Sequence, residues 1–401
     1  MKTIAISGIR FPFSPGPVIG SLALALALLS LAGCSKKEPF DPPDLLYLFA
    51  TYRVGKNPTS VSTADFNGDG FTDVVTTNIG NNTLSVLFGN GDGSFREQVK
   101  ISTCREPRAV ALGDYNRDEA VDLALACSGS NQVQILFGRK TGTFGVGPGY
   151  SLRRPVSIAT GDINGDRFLD LLVALRNDKI QVLIGRGDGS FQKGALYEYG
   201  DTPTSIAVAD LNRDARLDLA VTNGGPMSSA VSIWLGKGDG TFQKPTDYRT
   251  GKRPLRVAFA DFNNDRSTDL LVVNGEGDSF TIFLGNGDGT FQEGMEDGAN
   301  AGPVYGLPRD FNGDRLTDVA IVNLQSNDLS ILYGRGDGTF RHPPRNYRTK
   351  GGPFAIATLP LTSGQREVPG LAVANNGGGS VSIFLHRGLR GRHASPSPQP
   401  S

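Results

Sequence analysis

Residues 254–291 read PLRVAFADFNNDRSTDLLVVNGEGDSFTIFLGNGDGTF. Two short apolar runs, around Val257 and Leu271, flank an acidic segment that begins at Asp261. A third apolar run leads into a glycine-rich turn that closes with Phe291. Short apolar runs separated by Gly, Asn and Asp are typical of β-strands joined by tight turns. The segment therefore predicts consecutive strands of one antiparallel sheet.

The same unit recurs seven times along the chain. Its first marker is a proline that returns every 48 to 51 residues, at Pro58, Pro107, Pro155, Pro203, Pro254, Pro303 and Pro353. A fourth apolar or aromatic stretch separates each glycine turn from the next proline. Four short antiparallel strands in a repeat of about 50 residues form one propeller blade. The repeats therefore predict an all-β, seven-bladed β-propeller over residues 45–386, and the 53 glycines suit its many turns.

The seventh copy is incomplete at its end. It keeps three strand-like segments after Pro353, but no glycine turn follows the last of them. Residues 45–53 stand where a fourth strand would precede Pro58. We predict that this N-terminal segment completes the last blade and closes the ring, which removes the exposed edges of an open sheet.

Six loops between the first and second strands share the pattern Asp-x-Asn-x-Asp-x-x-x-Asp. Counted from the first Asp as position 1, the shared side chains stand at positions 1, 3, 5 and 9. They are Asp65, Asn67, Asp69, Asp73; Asp114, Asn116, Asp118, Asp122; Asp162, Asn164, Asp166, Asp170; Asp210, Asn212, Asp214, Asp218; Asp261, Asn263, Asp265, Asp269; and Asp310, Asn312, Asp314, Asp318.

Oxygen ligands at this spacing favour a hard cation, and calcium accepts six to eight oxygens in flexible geometry. The loops contain no His or Cys, which excludes a zinc-type site. Asx hydrogen bonds alone would explain one or two such residues in a turn. Three carboxylates within nine residues repel one another unless a cation lies between them. The sequence therefore predicts up to six structural Ca²⁺ sites.

The seventh copy has lost this pattern. Pro360, Thr362 and Gly364 occupy the ligand positions, and the loop is about two residues longer. We expect no cation there.

The acidic loops and the Gly-Asp-Gly-Thr-Phe turn, as at 287–291, resemble FG-GAP/VCBS repeats of the integrin-α-like type. The resemblance extends over residues 45–386, nearly all of the predicted mature chain. It implies a propeller whose loop faces bind proteins or glycans rather than a catalyst.

The N-terminus is typical of a targeting segment. Lys2 and Arg10 precede an apolar stretch from Val18 to Ala32, and residues 31–34 read Leu-Ala-Gly-Cys. This ending resembles a bacterial lipobox and implies a signal peptide over 1–33, acylation of Cys34 and a tether over 34–44. An ordinary signal peptide with an incidental Cys is the alternative. With Ser35 next to the anchor, lipoprotein sorting would favour the outer membrane where two membranes exist. Residues 387–401 are basic, then Ser/Pro-rich, and predict a disordered tail.

Cys104 and Cys127 both fall in the second repeat, near the same end of its predicted hairpin. In an oxidising compartment they can pair as a disulfide, and two separate buried thiols are the alternative. Two Arg-Gly-Asp tripeptides, at 186–188 and 335–337, stand within the repeated glycine turn, whose chemistry explains them. The single Trp234 occupies a position at which the other repeats have Leu or Phe, which predicts that its side chain lies in the core.

No catalytic motif stands out. The three histidines lie near the C-terminus, and the chain has no nucleophile elbow, phosphate loop or dinucleotide fingerprint. With 40 basic and 40 acidic residues, nothing indicates a nucleic-acid partner. We therefore expect a monomeric binding or adhesion platform for a glycan or protein, anchored in the bacterial envelope and facing the periplasm or the outside. A lyase-like enzyme acting on polysaccharides and a purely structural envelope protein are the alternatives.

Overall fold

A computed structural model describes residues 43–198, 200–225, 228–363 and 366–387. Within these ranges the structure holds 28 strands and no helix of regular length, and the strands form seven antiparallel sheets of four. Each sheet is one blade, and six of the seven blades run through their strands in chain order from the innermost to the outermost. The predicted all-β, seven-bladed propeller is thus confirmed.

The four strand positions of the blades are occupied as follows. The innermost strands are β2 (Pro58–Ala64), β6 (Pro107–Gly113), β10 (Pro155–Gly161), β14 (Pro203–Ala209), β18 (Pro254–Ala260), β22 (Pro303–Arg309) and β26 (Pro353–Ser363). The second strands are β3 (Asp73–Asn78), β7 (Asp122–Cys127), β11 (Asp170–Leu175), β15 (Asp218–Asn223), β19 (Asp269–Asn274), β23 (Asp318–Asn323) and β27 (Arg366–Asn375). The third strands are β4 (Thr83–Leu87), β8 (Gln132–Gly138), β12 (Lys179–Gly185), β16 (Ala230–Trp234), β20 (Ser279–Phe283), β24 (Asp328–Gly334) and β28 (Ser380–His386). The outermost strands are β5 (Val99–Ser102), β9 (Phe144–Ser151), β13 (Phe191–Glu198), β17 (Thr246–Arg249), β21 (Met295–Gly298), β25 (Phe340–Arg348) and β1 (Leu46–Arg53).

The ring closes through the first strand of the chain. β1 pairs antiparallel with β28, from Leu46 opposite His386 to Arg53 opposite Ser380, and forms the outer edge of the seventh blade. On the inside, each innermost strand contacts its neighbours, and β26 contacts β2. The predicted closure by the N-terminal segment is confirmed.

The core lies between neighbouring blades. The second strands of blades 1–6 are buried at every position, because each is covered by a blade on both faces. This explains why they read as continuous apolar runs instead of alternating ones. Trp234 is 5% exposed and packs with Leu219 and Ile180 between blades 3 and 4, as its column predicted.

The seventh blade replaces the acidic loop with a longer hairpin. In blade 5 the pairing of the first two strands ends at Ala260 opposite Asp269. In blade 7 it continues to Ser363 opposite Arg366. Pro360 and Thr362 thus belong to strand β26, and Gly364 lies outside the described residues.

The predicted signal peptide, Cys34 and the tether up to residue 42 lie outside the described residues, as does the tail beyond Arg387. In the part of the chain that is described, no helix has the length and hydropathy needed to cross a membrane.

Candidate functional site

The six acidic loops lie at one end of the ring, because each follows an innermost strand. The glycine turns, which join the third strand of a blade to its outermost strand, lie at the same end. The turn of one blade contacts the acidic loop of the preceding blade: Gly189 N donates to Tyr115 O at 2.8 Å, and Gly338 N donates to Phe262 O at 3.1 Å. The acidic loops therefore help to hold neighbouring blades together.

The closing aspartates, defined as the residues at position 9, are fully buried. Each accepts two backbone N–H bonds of 2.7–2.9 Å, one from position 2 of its own loop and one from a glycine at the end of the third strand or two residues beyond it. Asp318, for example, accepts from Phe311 N at 2.9 Å and from Gly334 N at 2.8 Å. The sequence predicted a metal ligand here and missed this second role, which fastens the loop to its own sheet.

Burial of these carboxylates leaves their charge poorly solvated. Desolvation, opposed by the two N–H bonds, raises the pKa of Asp73, Asp122 and Asp170 to about 6 and that of Asp318 to about 7. The other acidic side chains of the same loop raise it further. A cation bound at the loop would offset both effects, because it favours the charged form.

The exposed part of each loop is held by Asx hydrogen bonds. In the first loop Gly70 N donates to Asp65 Oδ2 at 2.8 Å, Phe71 N to Asp69 Oδ1 at 2.9 Å, and Asn67 Nδ2 to Asp69 Oδ2 at 2.8 Å. The other five loops repeat the bond from the Asn side chain to the Asp at position 5. The loops thus have a defined shape built from their own side chains.

All six loops share a left-handed backbone at positions 4 and 6, with φ between 60° and 82°. The residues are Gly68, Arg117, Gly165, Arg213, Asn264 and Gly313 at position 4, and Gly70, Glu119, Arg167, Ala215, Arg266 and Arg315 at position 6. A residue other than glycine costs roughly 1–2 kcal/mol in this conformation. Glu, Arg or Ala stands at position 6 in five of the six loops. The structure shows the same backbone in every loop, so the strain is tolerated at each of them.

The acidic loops carry oxygen atoms of the kind that calcium prefers, and in one loop a carboxylate oxygen has no hydrogen-bond partner. Asp261 Oδ1 is buried and has no hydrogen-bond partner, whereas Asp261 Oδ2 accepts Arg266 N at 2.8 Å. Across residues 43–387, apart from the undescribed positions, no three His, Cys, Asp or Glu side chains converge as a metal-ligand group. Asp261, Asn263, Asp265 and Asp269 are the residues that would hold a cation in this loop once their side chains move together, and the cation would supply charge neutralisation.

Cys104 and Cys127 lie together in the second blade and are joined as a disulfide, with their Cα atoms 5.9 Å apart. This Cα separation is within the usual range for a disulfide. Cys127 ends β7 in the core between blades 1 and 2, and Cys104 packs against the same core. The oxidation state of this pair in the cell stays a prediction.

The two Arg-Gly-Asp tripeptides are parts of glycine turns. Asp188 Oδ1 accepts the N–H and the hydroxyl of Ser190 at 2.9 and 2.6 Å, and Asp337 makes the same pair of bonds with Thr339. The glycine turns of other blades contain the same bonds without an Arg-Gly-Asp sequence. Turn chemistry therefore accounts for both aspartates.

Tyrosines of the outermost strands connect neighbouring blades. The hydroxyls of Tyr52, Tyr150, Tyr197 and Tyr248 accept the backbone N–H of the Phe that ends the next blade's glycine turn, at 2.7–3.1 Å. Tyr347 accepts Leu46 N at 3.2 Å and so connects blade 6 to the N-terminal strand. The hydroxyls of the recurring tyrosines thus connect neighbouring blades.

A groove of about 590 Å³ lies between the outer parts of blades 4 and 5. Tyr248 is the half-buried aromatic side chain of its lining, and the buried ring of Phe283 lies beneath it. Its charged lining comprises Arg249, Lys252, Glu276, Glu293 and Glu296. These residues come from separate parts of two repeats and share no spacing, so the sequence offered no signal for the groove.

Glycine shapes the groove at Gly251 and Gly294. A Cβ at Gly294 would stand 2.6 Å from the Phe283 ring and 2.7 Å from the Thr281 side chain. Two of the glutamates that line the groove have partners within the protein. Arg253 forms an ion pair with Glu276 at 3.2 Å, and the Ser279 hydroxyl donates a hydrogen bond to Glu296.

Solved structures share the fold. The crystal structures of BBS1N in complex with ARL6DN, soaked with mercury or with lead, superpose with TM-scores of 0.60 and 0.56. The identities are 12% and 14%, and the superpositions cover 85% of this chain and 97% or 96% of those chains. This likeness concerns the fold alone.

One curated relative matches part of the chain. The T-cell immunomodulatory protein homolog of Plasmodium yoelii yoelii is 31% identical over 132 residues, which cover 28% of this chain and 19% of that protein. The match therefore spans less than a fifth of the relative's length.

The sequence model of the FG-GAP-like repeat matches four times, at residues 65–125, 115–173, 162–221 and 220–272. Together these matches span about half of the chain, and each contains at least one acidic loop in full. With seven blades built on the same unit, the chain belongs to the FG-GAP-like repeat family.

Proposed function

We propose that the protein is a lipid-anchored, calcium-stabilised platform of the bacterial envelope that binds a glycan in the groove between blades 4 and 5. The family and its propeller fold support a binding or structural platform. The observation that favours binding over a structural role is the groove itself. Its volume of about 590 Å³ is within the range of ligand sites, roughly 300–1,000 Å³.

The chemistry of the groove suits a sugar. Tyr248 offers an aromatic edge, and the exposed Arg249 and Lys252 donate where Glu293 and Glu296 accept. Donors and acceptors of both charges match the hydroxyl groups of a neutral glycan, which both donate and accept. A strongly charged ligand would meet repulsion from one of the two sets.

Calcium would have a different role from the groove: it would make the ring rigid. The oxygen-rich side chains of the six acidic loops and the absence of a hydrogen-bond partner for the buried Asp261 Oδ1 support this proposal. A cation at each loop would compensate the buried closing aspartate and fix the contact with the next blade. The binding surface would then rest on a ring that calcium holds rigid.

The lipobox-like residues 31–34, which would carry acyl chains on Cys34, support an envelope location. Several acyl chains hold a protein stably at a bilayer surface. The glycan would then be a component of the envelope or of the surroundings of the cell. We expect no catalysis.

The test is binding of the soluble protein, residues 35–401, to an array of microbial, plant and host glycans in calcium and in EDTA. We expect reproducible hits that K252A and E293A weaken by about 10- to 100-fold, since each removes a hydrogen bond to a charged group. K100A is the matched control, because Lys100 is exposed on β5 in blade 1. A blank array with folded protein, or equal effects of all three variants, would contradict the proposal and point to a protein partner or a structural role.

A further inference from the structure

We propose a second binding site, for a small carboxylate, in the central channel of the ring, with Arg256 as its anchor. The site is separate from the groove and goes beyond the function proposed above. It is built from the innermost strands of six blades.

The channel contains a cavity of about 290 Å³. The innermost strand of each blade is the edge strand of its sheet, so one side of it pairs with no other strand. These unpaired strand edges line the cavity. Among the described residues that line the cavity, Arg256 carries the only formal charge, and no Asp or Glu is present. An anion that enters this cavity therefore meets one cation and no competing carboxylate.

Arg256 departs from the pattern of its column. The third residue of the innermost strand is small in five blades, namely Ser60, Ala109, Ser157, Ser205 and Ala355. In blades 5 and 6 it is Arg256 and Tyr305. Two large side chains thus stand in neighbouring blades at a strand position that is small in the other five.

Tyr305 orients the arginine. The Arg256 Cζ atom lies 4.8 Å from the centroid of the Tyr305 ring, a cation–π contact. Tyr305 itself packs against the core between blades 7 and 1. Among the described residues, no acidic side chain forms an ion pair with Arg256. The stacked guanidinium keeps its N–H edge for a ligand.

Serine hydroxyls complete the set of donors. Ser157 and Ser205 line the cavity and are each 3% exposed. Ser157 Oγ accepts Ile206 N at 3.3 Å, so its own proton remains to be donated. Hydroxyl donors and one guanidinium that line the same cavity are partners that suit a carboxylate.

The charge and size of the site define the ligand class. A single guanidinium balances one negative charge, and its planar fork fits the two oxygens of a carboxylate. The volume, about 290 Å³, is at the lower end for ligand sites and suits a small molecule. The ligand is therefore a small monocarboxylate, either a simple acid or an acidic monosaccharide.

The experiment is isothermal titration calorimetry of residues 35–401 with sodium acetate and with sodium glucuronate at constant ionic strength. Acetamide and glucose serve as the neutral counterparts. We expect saturable 1:1 binding of at least one carboxylate and none of its neutral counterpart, and the preferred carboxylate distinguishes the simple acid from the sugar acid. R256Q should weaken binding by about 10- to 100-fold. R153Q, which changes an exposed arginine at the end of blade 2, should leave it unchanged.

A second readout needs no variant. Phenylglyoxal modifies accessible arginines, and mass spectrometry of the treated wild-type protein should show that the bound carboxylate protects Arg256 but not Arg153. Absence of binding by both carboxylates, equal binding by R256Q and R153Q, or equal modification of Arg256 with and without ligand would overturn the proposal. K252A should not affect this binding, so failure here is distinguishable from failure of the groove.

Discussion

Truncation of Leu46 to alanine tests the closure of the ring by the N-terminal strand. Leu46 is 1% exposed, and its N–H donates to the hydroxyl of Tyr347 in blade 6. Loss of a fully buried leucine side chain destabilises a protein by about 2–5 kcal/mol, because it removes buried apolar surface and leaves a cavity. We expect L46A to lower the free energy of unfolding of the whole propeller by about 3 kcal/mol, provided that β1 is an integral part of the cooperative unit.

The assay is urea denaturation of residues 35–401, with L48A as the matched control. Leu48 lies on the same strand but is 36% exposed, so its truncation should change the free energy by less than about 1 kcal/mol. Deletion of residues 45–53 should have a larger effect and lead to aggregation, because β28 would become an exposed edge. Equal unfolding midpoints for L46A and L48A, or an unchanged melt after the deletion, would refute closure by this strand.

Four further outcomes follow from the same structure. EDTA should lower the melting temperature and calcium should restore it, and a melt that ignores both would contradict structural calcium. In EDTA, stability should fall as pH rises from about 4 to about 7: the raised pKa of the closing aspartates, about 7 for Asp318, means that the folded protein keeps protons that the unfolded chain has lost. Urea midpoints at several pH values measure this, and the opposite slope would be evidence against it. Y150F should lower the free energy of unfolding measured in urea by about 1–2 kcal/mol, because Phe191 N loses its acceptor at 2.7 Å. An unchanged free energy would show that this hydrogen bond does not stabilise the contact between blades. Residues 35–401, unreduced and denatured, should contain no free thiol, whereas a count of two would mean that Cys104 and Cys127 are separate.

Much of the fold could be predicted from the sequence, because a propeller repeats one unit. The prolines marked the start of each innermost strand, as at Pro254. The absence of a glycine turn after the seventh copy, together with the surplus segment at 45–53, was enough to predict closure. The same logic anticipated the lost loop of blade 7, although not that the hairpin would lengthen to Ser363 opposite Arg366.

The sites were harder to predict, since they depend on contacts between repeats. The closing aspartates read as metal ligands by spacing, and only the structure shows their bonds to backbone N–H groups. The groove combines Lys252 with Glu293, which are far apart in the chain and follow no pattern. Arg256 and Tyr305 did carry a signal, as the two large residues in a column of small ones, and an alignment of the seven repeats at that column would have revealed it.

The most direct test of the binding platform is a crystal structure of residues 35–401 grown in calcium with the strongest glycan from the array. We predict a closed ring with β1 in the seventh blade, cations at the acidic loops that include Asp261, and sugar in the groove beside Tyr248 and Lys252. Sugar that binds elsewhere, or does not bind at saturating concentration, would contradict the proposed groove. Acidic loops that hold no ion in the presence of calcium would contradict the proposed calcium sites.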